Sequence, residues 1–255
     1  MIALPAPAAP LCASDDVASA VRAWVKPLLL AAGARYRSLY LYGSVLEAGF
    51  DPAISDVNIL IVVSELPFDT LDACARQLAD PATQAGGRLR FSPLLLTVAQ
   101  VKESRDVFPL EFLDFGQRRA LLDGEDVLAT ATVSAVNLRH QCEFELRSKL
   151  VALRQGYLRS GAARGAAQSL AAQAAGGSAV LFRHLLTLRG LPQPETREAL
   201  AVAVARAYDI DADGLGAPFA ARLAPGDEAT ARERLARYLD ALAALVEAVD
   251  HAPVG

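Results

Sequence analysis

The sequence predicts an α+β fold class: a small mixed-sheet α/β domain followed by an all-α helical bundle. Three observations carry that expectation. Short apolar and aromatic runs of strand type alternate with helical periodicity over the first 100 residues. From about Ser134 onward only apolar spacings of three and four remain, with no strand signal. Finally, 53% hydrophobic against 21% charged residues is a core-forming balance, and 255 residues suffice for two ordinary domains. The expected divisions are a flexible N-terminal segment over 1–13, an α/β domain over 14–130 and a helical bundle over 131–255.

The elements follow in order. Residues 1–13 are rich in Pro and Ala and are expected to be loosely draped. Ser14, Asp15 and Asp16 then offer a helix N-cap and first-turn acids, and Val17, Val21, Val25 and Leu28 recur at helical spacing until Gly33, with Pro27 a point for a kink. "RSLYLYG" and "DVNILIVVS" are near-continuous apolar runs and predict buried strands. "FDTLDACARQLADPATQ" places Leu71, Ala75 and Leu78 on one helical face and ends near Pro81. "GRLRFSPLLLT" predicts a further strand, which Pro93 assigns to a sheet edge or a break.

In the second half, Leu138, Cys142, Leu146, Leu150, Leu153 and Tyr157 mark one long helix. "AAQSLAAQAAGGSAVLFRHLLTLRGLP" predicts a second, broken or tightly packed at Gly176-Gly177. "PETREALAVAVARAYDI" predicts a third, opened by Pro194 and Glu195. "DEATARERLARYLDALAALVEAVDHA" closes the chain as another amphipathic helix, and no fixed-period repeat is present.

Composition narrows the function classes. A net charge of -4 and the lack of any Lys/Arg run give no nucleic-acid footprint. Cys12, Cys74 and Cys142 are too few and too scattered for a disulfide framework or a paired-cysteine metal site, which fits a reducing cytoplasm. His140, His184 and His251 are equally dispersed. The N-terminus lacks a basic segment before its apolar residues, and no uninterrupted apolar stretch reaches the ~18 residues of a membrane helix.

One stretch carries chemistry: "YGSVLEAGFDPAISDVNILIVV", Tyr42 to Val63. A strand that ends in Gly-Ser and continues into a short helix leaves backbone N–H groups for a phosphate, and Gly43 removes the side chain that would block its approach. Ser44 adds a hydroxyl donor. Positions 56 and 58 of the next strand point to one sheet face, so two acids there would hold Mg²⁺ and clamp a triphosphate. Asp56 is such an acid, but position 58 is Asn58.

The same stretch resembles the signature of the nucleotidyltransferase superfamily, the group containing kanamycin nucleotidyltransferase and many minimal bacterial nucleotidyltransferase domains. That signature is an apolar residue, Gly, and Gly or Ser, then after a gap Asp, an apolar residue and a second acid. Tyr42, Gly43 and Ser44 match, as do Ser55, Asp56, Val57, Ile59, Leu60 and Ile61, and Asn58 departs. "FPLEFLD" with "LRHQCEFELRSKLVALRQGYL" is similar to bacterial members of unassigned substrate, and the helical second half resembles the bundle that follows the catalytic domain in many of them. The resemblance implies an NTP with Mg²⁺ as ligand, with Gly43 and Ser44 at the phosphates, Asp56 and Asn58 at the metal, and Lys149 of the long helix facing the nucleotide cleft. The residue pattern alone equally allows Lys149 to pair with Glu145 one turn earlier.

Members of the superfamily usually carry a third acid on a later strand, and "RLRFSPLLLT" has none. An amide oxygen such as that of Asn58 can coordinate Mg²⁺ but supplies no charge. A unit charge at 4 Å is worth ~4 kcal/mol at an effective dielectric of 20, so each missing acid removes a large part of the attraction for a dication. Glu111 and Asp114 share a face if "FPLEFLDF" is helical, and Glu111 is the candidate substitute base. The expectation is therefore a nucleotidyltransferase-fold protein with weakened or lost Mg²⁺-dependent NMP transfer, acting as a nucleotide-binding or interaction module with an unknown acceptor or protein partner. The alternative is an active enzyme moving NMP from an NTP to a hydroxyl of a small molecule or macromolecule.

Overall fold

Alternating apolar runs become a four-stranded mixed sheet in the computed structural model, which describes residues 1–3, 15–46, 50, 52, 55–79 and 89–252. The chain divides into two compact units, Met1–Ser134 and Ala135–Gly255. In the first, β1 (Ile2–Ala3) precedes α1 (Asp15–Ala32), β2 (Tyr36–Tyr42), β3 (Val57–Val63), α2 (Phe68–Ala79) and β4 (Phe91–Thr97). Then come α3 (Val98–Glu103), α4 (Pro109–Gln117), β5 (Arg119–Gly124) and β6 (Thr132–Val133). The α+β class expected from the sequence is the observed one.

The main sheet has the order β4-β3-β2-β5. β3 runs parallel to β4 and antiparallel to β2, and β5 pairs antiparallel with β2. β3 is central, which explains its unbroken apolar sequence: Val57, Ile59 and Ile61 face one side, Leu60 and Val62 the other, and all are at most 1% exposed. On the first side Val21, Val25, Leu28 and Ala32 of α1 and Cys74 of α2 pack with Leu39, Leu41, Ile59 and Ile61 into one core cluster. By length and composition α1 could cross a membrane. Its side chains Val21, Val25, Leu28 and Ala32 belong to this core. Pro93 lies on β4, an edge strand, where a missing N–H costs no central ladder bond.

Two features of this unit correct the expectations. Residues 2 and 3, expected within the draped segment, form β1 and pair antiparallel with β6, Ile2 opposite Val133. The stretch after "RLRFSPLLLT" adds α3, α4 and β5. α3 begins with a capping box in which the Thr97 hydroxyl accepts from the Gln100 N–H and the Gln100 side chain accepts from the Thr97 N–H. The remainder of the expected N-terminal segment, residues 4–13, lies outside the described residues.

The second unit holds α5 (Ala135–Arg159), α6 (Ala166–Leu188), α7 (Arg197–Tyr208), α8 (Ala212–Leu223) and α9 (Glu228–Asp250). Leu138, Cys142, Leu146, Leu150 and Leu153 form the buried face of α5. The helical path of α6 breaks at Gly176 (φ −64°, ψ 135°) and Gly177 (φ 71°, ψ −22°), where the Gly pair had marked it. α7 starts later than Pro194 and Glu195: Thr196 is its N-cap, accepting from the Ala199 N–H at 3.2 Å. α8 is unforeseen, because its two glycines and Pro218 obscure a helix that buries Leu215 and Phe219 one turn apart.

Candidate functional site

The ends of β2 and β3 bring the opening motif together. Tyr42 stands opposite Asn58 across the antiparallel pair, so their side chains share one sheet face. Gly43 follows with φ +77°, a left-handed conformation that disfavours any side chain. A Cβ there would also lie 3.1 Å from Nδ2 of Asn58. Glycine at 43 is thus favoured by backbone conformation, and the neighbouring amide leaves little room for a side chain.

The turn after Gly43 is a four-residue 3-10 segment, Gly43–Leu46, that buries Val45 and Leu46 and leaves Ser44 half-buried. The Gly43 N–H itself donates to the carbonyl of Arg118 at 3.1 Å. This bond ties the end of α4 to the turn. Phe115 of α4 meets the ring of Tyr42 edge-on at 4.9 Å, on the face that carries Asn58.

Asp56 and Arg90 form the second part of the site. Val57 donates its N–H to the carbonyl of Arg90 at 2.7 Å, and in the parallel register Val57 stands opposite Phe91 and Asn58 opposite Ser92. Arg90 is thereby fixed beside Asp56, and its Nε–H donates to Oδ1 of Asp56 at 2.7 Å. Both side chains are open to solvent, 60% and 51% exposed.

α4 supplies the remaining acids. Glu111 is in its first turn and exposed, and Asp114 is half-buried. Burial, and after it the Asp114 carboxylate, push the Tyr42 hydroxyl pKa above its ordinary value. Among the described residues no three His, Cys, Asp or Glu side chains come close enough together to hold a metal ion. The donors in hand are one carboxylate already bridged by a guanidinium and one neutral amide. Among the described residues this set falls short of a Mg²⁺ site, which usually offers one or two carboxylates free to bind the ion beside the substrate phosphates, whereas Asp56 is bridged by Arg90.

Lys149 belongs to the second unit. Its ammonium donates to the carbonyls of Gly176 at 3.2 Å and Ala174 at 3.5 Å, the groups freed where α6 breaks. Burial pushes its pKa down, and Glu145 partly opposes that shift. The structure thus brings Gly43, Ser44, Asp56 and Asn58 to one end of the sheet, places Glu111 on the exposed first turn of α4, and engages Lys149 at a helix break. Arg90 is the residue of this site that sequence reasoning left without a role. The signal for it is positional: a cation at the start of the strand that pairs with the Asp56 strand.

No protein-family model matches the sequence, and no curated protein matches it significantly. Among solved structures, a spectinomycin adenyltransferase from Enterococcus faecialis, determined with ATP and spectinomycin, is similar with a TM-score of 0.53 and 13% identity. The match covers 88% of this chain and 97% of the other. This chain has a nucleotidyltransferase-like α+β fold.

Proposed function

We propose that the protein is a nucleotide-binding module on the nucleotidyltransferase fold, in which transfer of a nucleoside monophosphate is weakened or lost. The observation that carries this reading is the Asp56–Arg90 ion pair beside a neutral Asn58. In-line attack on an α-phosphorus needs charge gathered around the phosphates, and the strand carboxylate described here, Asp56, is already paired with Arg90. Nucleotide recognition is supported by the fold and by the ATP bound in its structural neighbour. Gly43 and Ser44 would approach the phosphates. The buried thiols Cys74 and Cys142 fit a cytoplasmic protein.

A second reading, an active enzyme acting on a hydroxyl of a small molecule, is favoured by one observation. The Asp114 charge acts on Tyr42, the residue opposite Asn58, and Glu111 lies one turn earlier on α4, so a carboxylate from this helix would replace the absent strand acid as base. Thermal unfolding in the presence of each NTP, with and without Mg²⁺, tests binding: a rise in Tm with at least one nucleotide is expected, and none at millimolar concentration refutes the nucleotide-binding reading. Pyrophosphate release with pooled hydroxyl acceptors separates the two readings. Turnover absent from the wild type and gained by Asn58→Asp supports the first. Robust wild-type turnover lost in Glu111→Gln or Asp114→Asn establishes the second.

A further inference from the structure

We propose that Arg90 takes the place of a divalent cation at this site, so that the phosphates of a nucleotide are held without dependence on Mg²⁺. The inference rests on the nucleotide-binding reading above and adds the identity of the cation. In a cluster of carboxylates a polyphosphate is repelled until a metal intervenes, which makes the metal obligatory. Among the described strand residues of the present site that repulsion is reduced. Asp56 and Arg90 cancel, Asn58 is neutral, and Ser92, opposite Asn58 on β4, is also neutral.

Placement supports the substitution. The backbone bond from Val57 to Arg90 and the parallel register hold Arg90 directly beside Asp56, and its guanidinium engages Oδ1, an oxygen that a metal ligand role would need. A dication there would have to displace a cation. The pair is solvent-exposed and so only weakly held, which leaves Arg90 able to exchange the carboxylate for a phosphate. Among the described residues only Nε–H has a partner, and the guanidinium's other N–H groups remain for forked contact with phosphate oxygens.

The proposal makes Asp56 a competitor for Arg90 where a metal mechanism makes it a ligand, and the two predict opposite signs. The test titrates the full chain with ATP, by calorimetry, in EDTA and in excess Mg²⁺. Equal affinity in the two buffers to within about threefold is expected, with Arg90→Gln weakening metal-free binding by about tenfold, the scale of one lost charge-assisted contact. Asp56→Asn is expected to strengthen metal-free binding, because it frees the guanidinium and removes a negative charge. Both substitutions are at exposed side chains, and unchanged circular dichroism verifies that the fold persists. Binding that requires Mg²⁺ and disappears in Asp56→Asn overturns the proposal while leaving the nucleotide-binding reading intact. No ATP binding in either buffer overturns both.

Discussion

Replacing Asn58 by Asp places a second carboxylate two residues from Asp56 on the same face of β3. Two residues along a strand span roughly 6.6 Å, so the two charges repel by about 2.5 kcal/mol at an effective dielectric of 20 and about 0.6 kcal/mol in bulk water. Asp56 is half open to solvent and already paired with Arg90, which puts the expected cost near the lower end, about 1 kcal/mol. Asn58 is itself half-buried beside Gly43, so solvent relieves only part of this repulsion. The Asn58→Asp protein without metal should therefore unfold a few degrees lower than wild type, roughly 3 °C for a chain of this size. Mg²⁺ should restore the variant, since two adjacent carboxylates form the start of a metal site, and should leave the wild type unmoved. The assay is differential scanning calorimetry across a Mg²⁺ titration, with Ca²⁺ and high NaCl as controls for screening. Equal stabilisation of wild type and variant by Mg²⁺ would refute the reasoning, because it would show that the wild-type donors already bind the ion.

Three further substitutions test the packing. Gly124→Ala should destabilise the first unit by roughly 3 kcal/mol or more, read by urea denaturation, since Gly124 has φ +86° and a Cβ there would fall 2.0 Å from the carbonyl oxygen of Arg37. Tyr40→Phe removes a hydroxyl that donates to Glu125 O and Asp126 Oδ1, both at 3.1 Å, and should cost about 1 kcal/mol in the same assay. Burial, followed by the Asp126 charge, pushes the Tyr40 pKa up to about 12 from 10.0. The unfolded chain then loses its proton first, so stability should fall as pH rises between those values, and less steeply in Tyr40→Phe. Leu146→Ala, in the fully buried face of α5, should cost about 2–5 kcal/mol and lower the denaturation midpoint of the second unit.

Legibility in the sequence tracked how local each determinant is. β3 could be found because a central strand buries both faces and so cannot afford polar residues; Val57 to Val63 contains one, Asn58. The break in α6 was visible because two adjacent glycines remove the helix preference at one place. β5 was missed because as an edge strand its residues run Arg119, Ala120, Leu121, Leu122, Asp123 and Gly124, with only Arg119 buried. Its pairing with β2 depends on partners some 80 residues earlier, which no window of local periodicity contains. α8 was missed for the opposite reason. Gly214, Gly216 and Pro218 argue against a helix locally, and burial of Leu215 and Phe219 with the Asp211 cap overrides them.

The site shows the same division more sharply. Gly43 and Asp56 were legible as a pair because motif spacing places them at adjoining strand ends, and Asn58 was legible as a departure from it. Arg90 was not, since its neighbour is decided by register. In a parallel pair a slip of one residue would carry Arg90 to the opposite face of β4 and put Phe91 beside Asp56. The observed register excludes this, because Phe91 packs against Trp24 of α1 with ring centroids 4.7 Å apart and belongs to the core cluster on the other side. A half-buried aromatic contact thus determines which charge meets Asp56. It follows that substitutions at Phe91 or Trp24, remote from any phosphate, should disturb the Asp56–Arg90 pair as surely as changes to the pair itself.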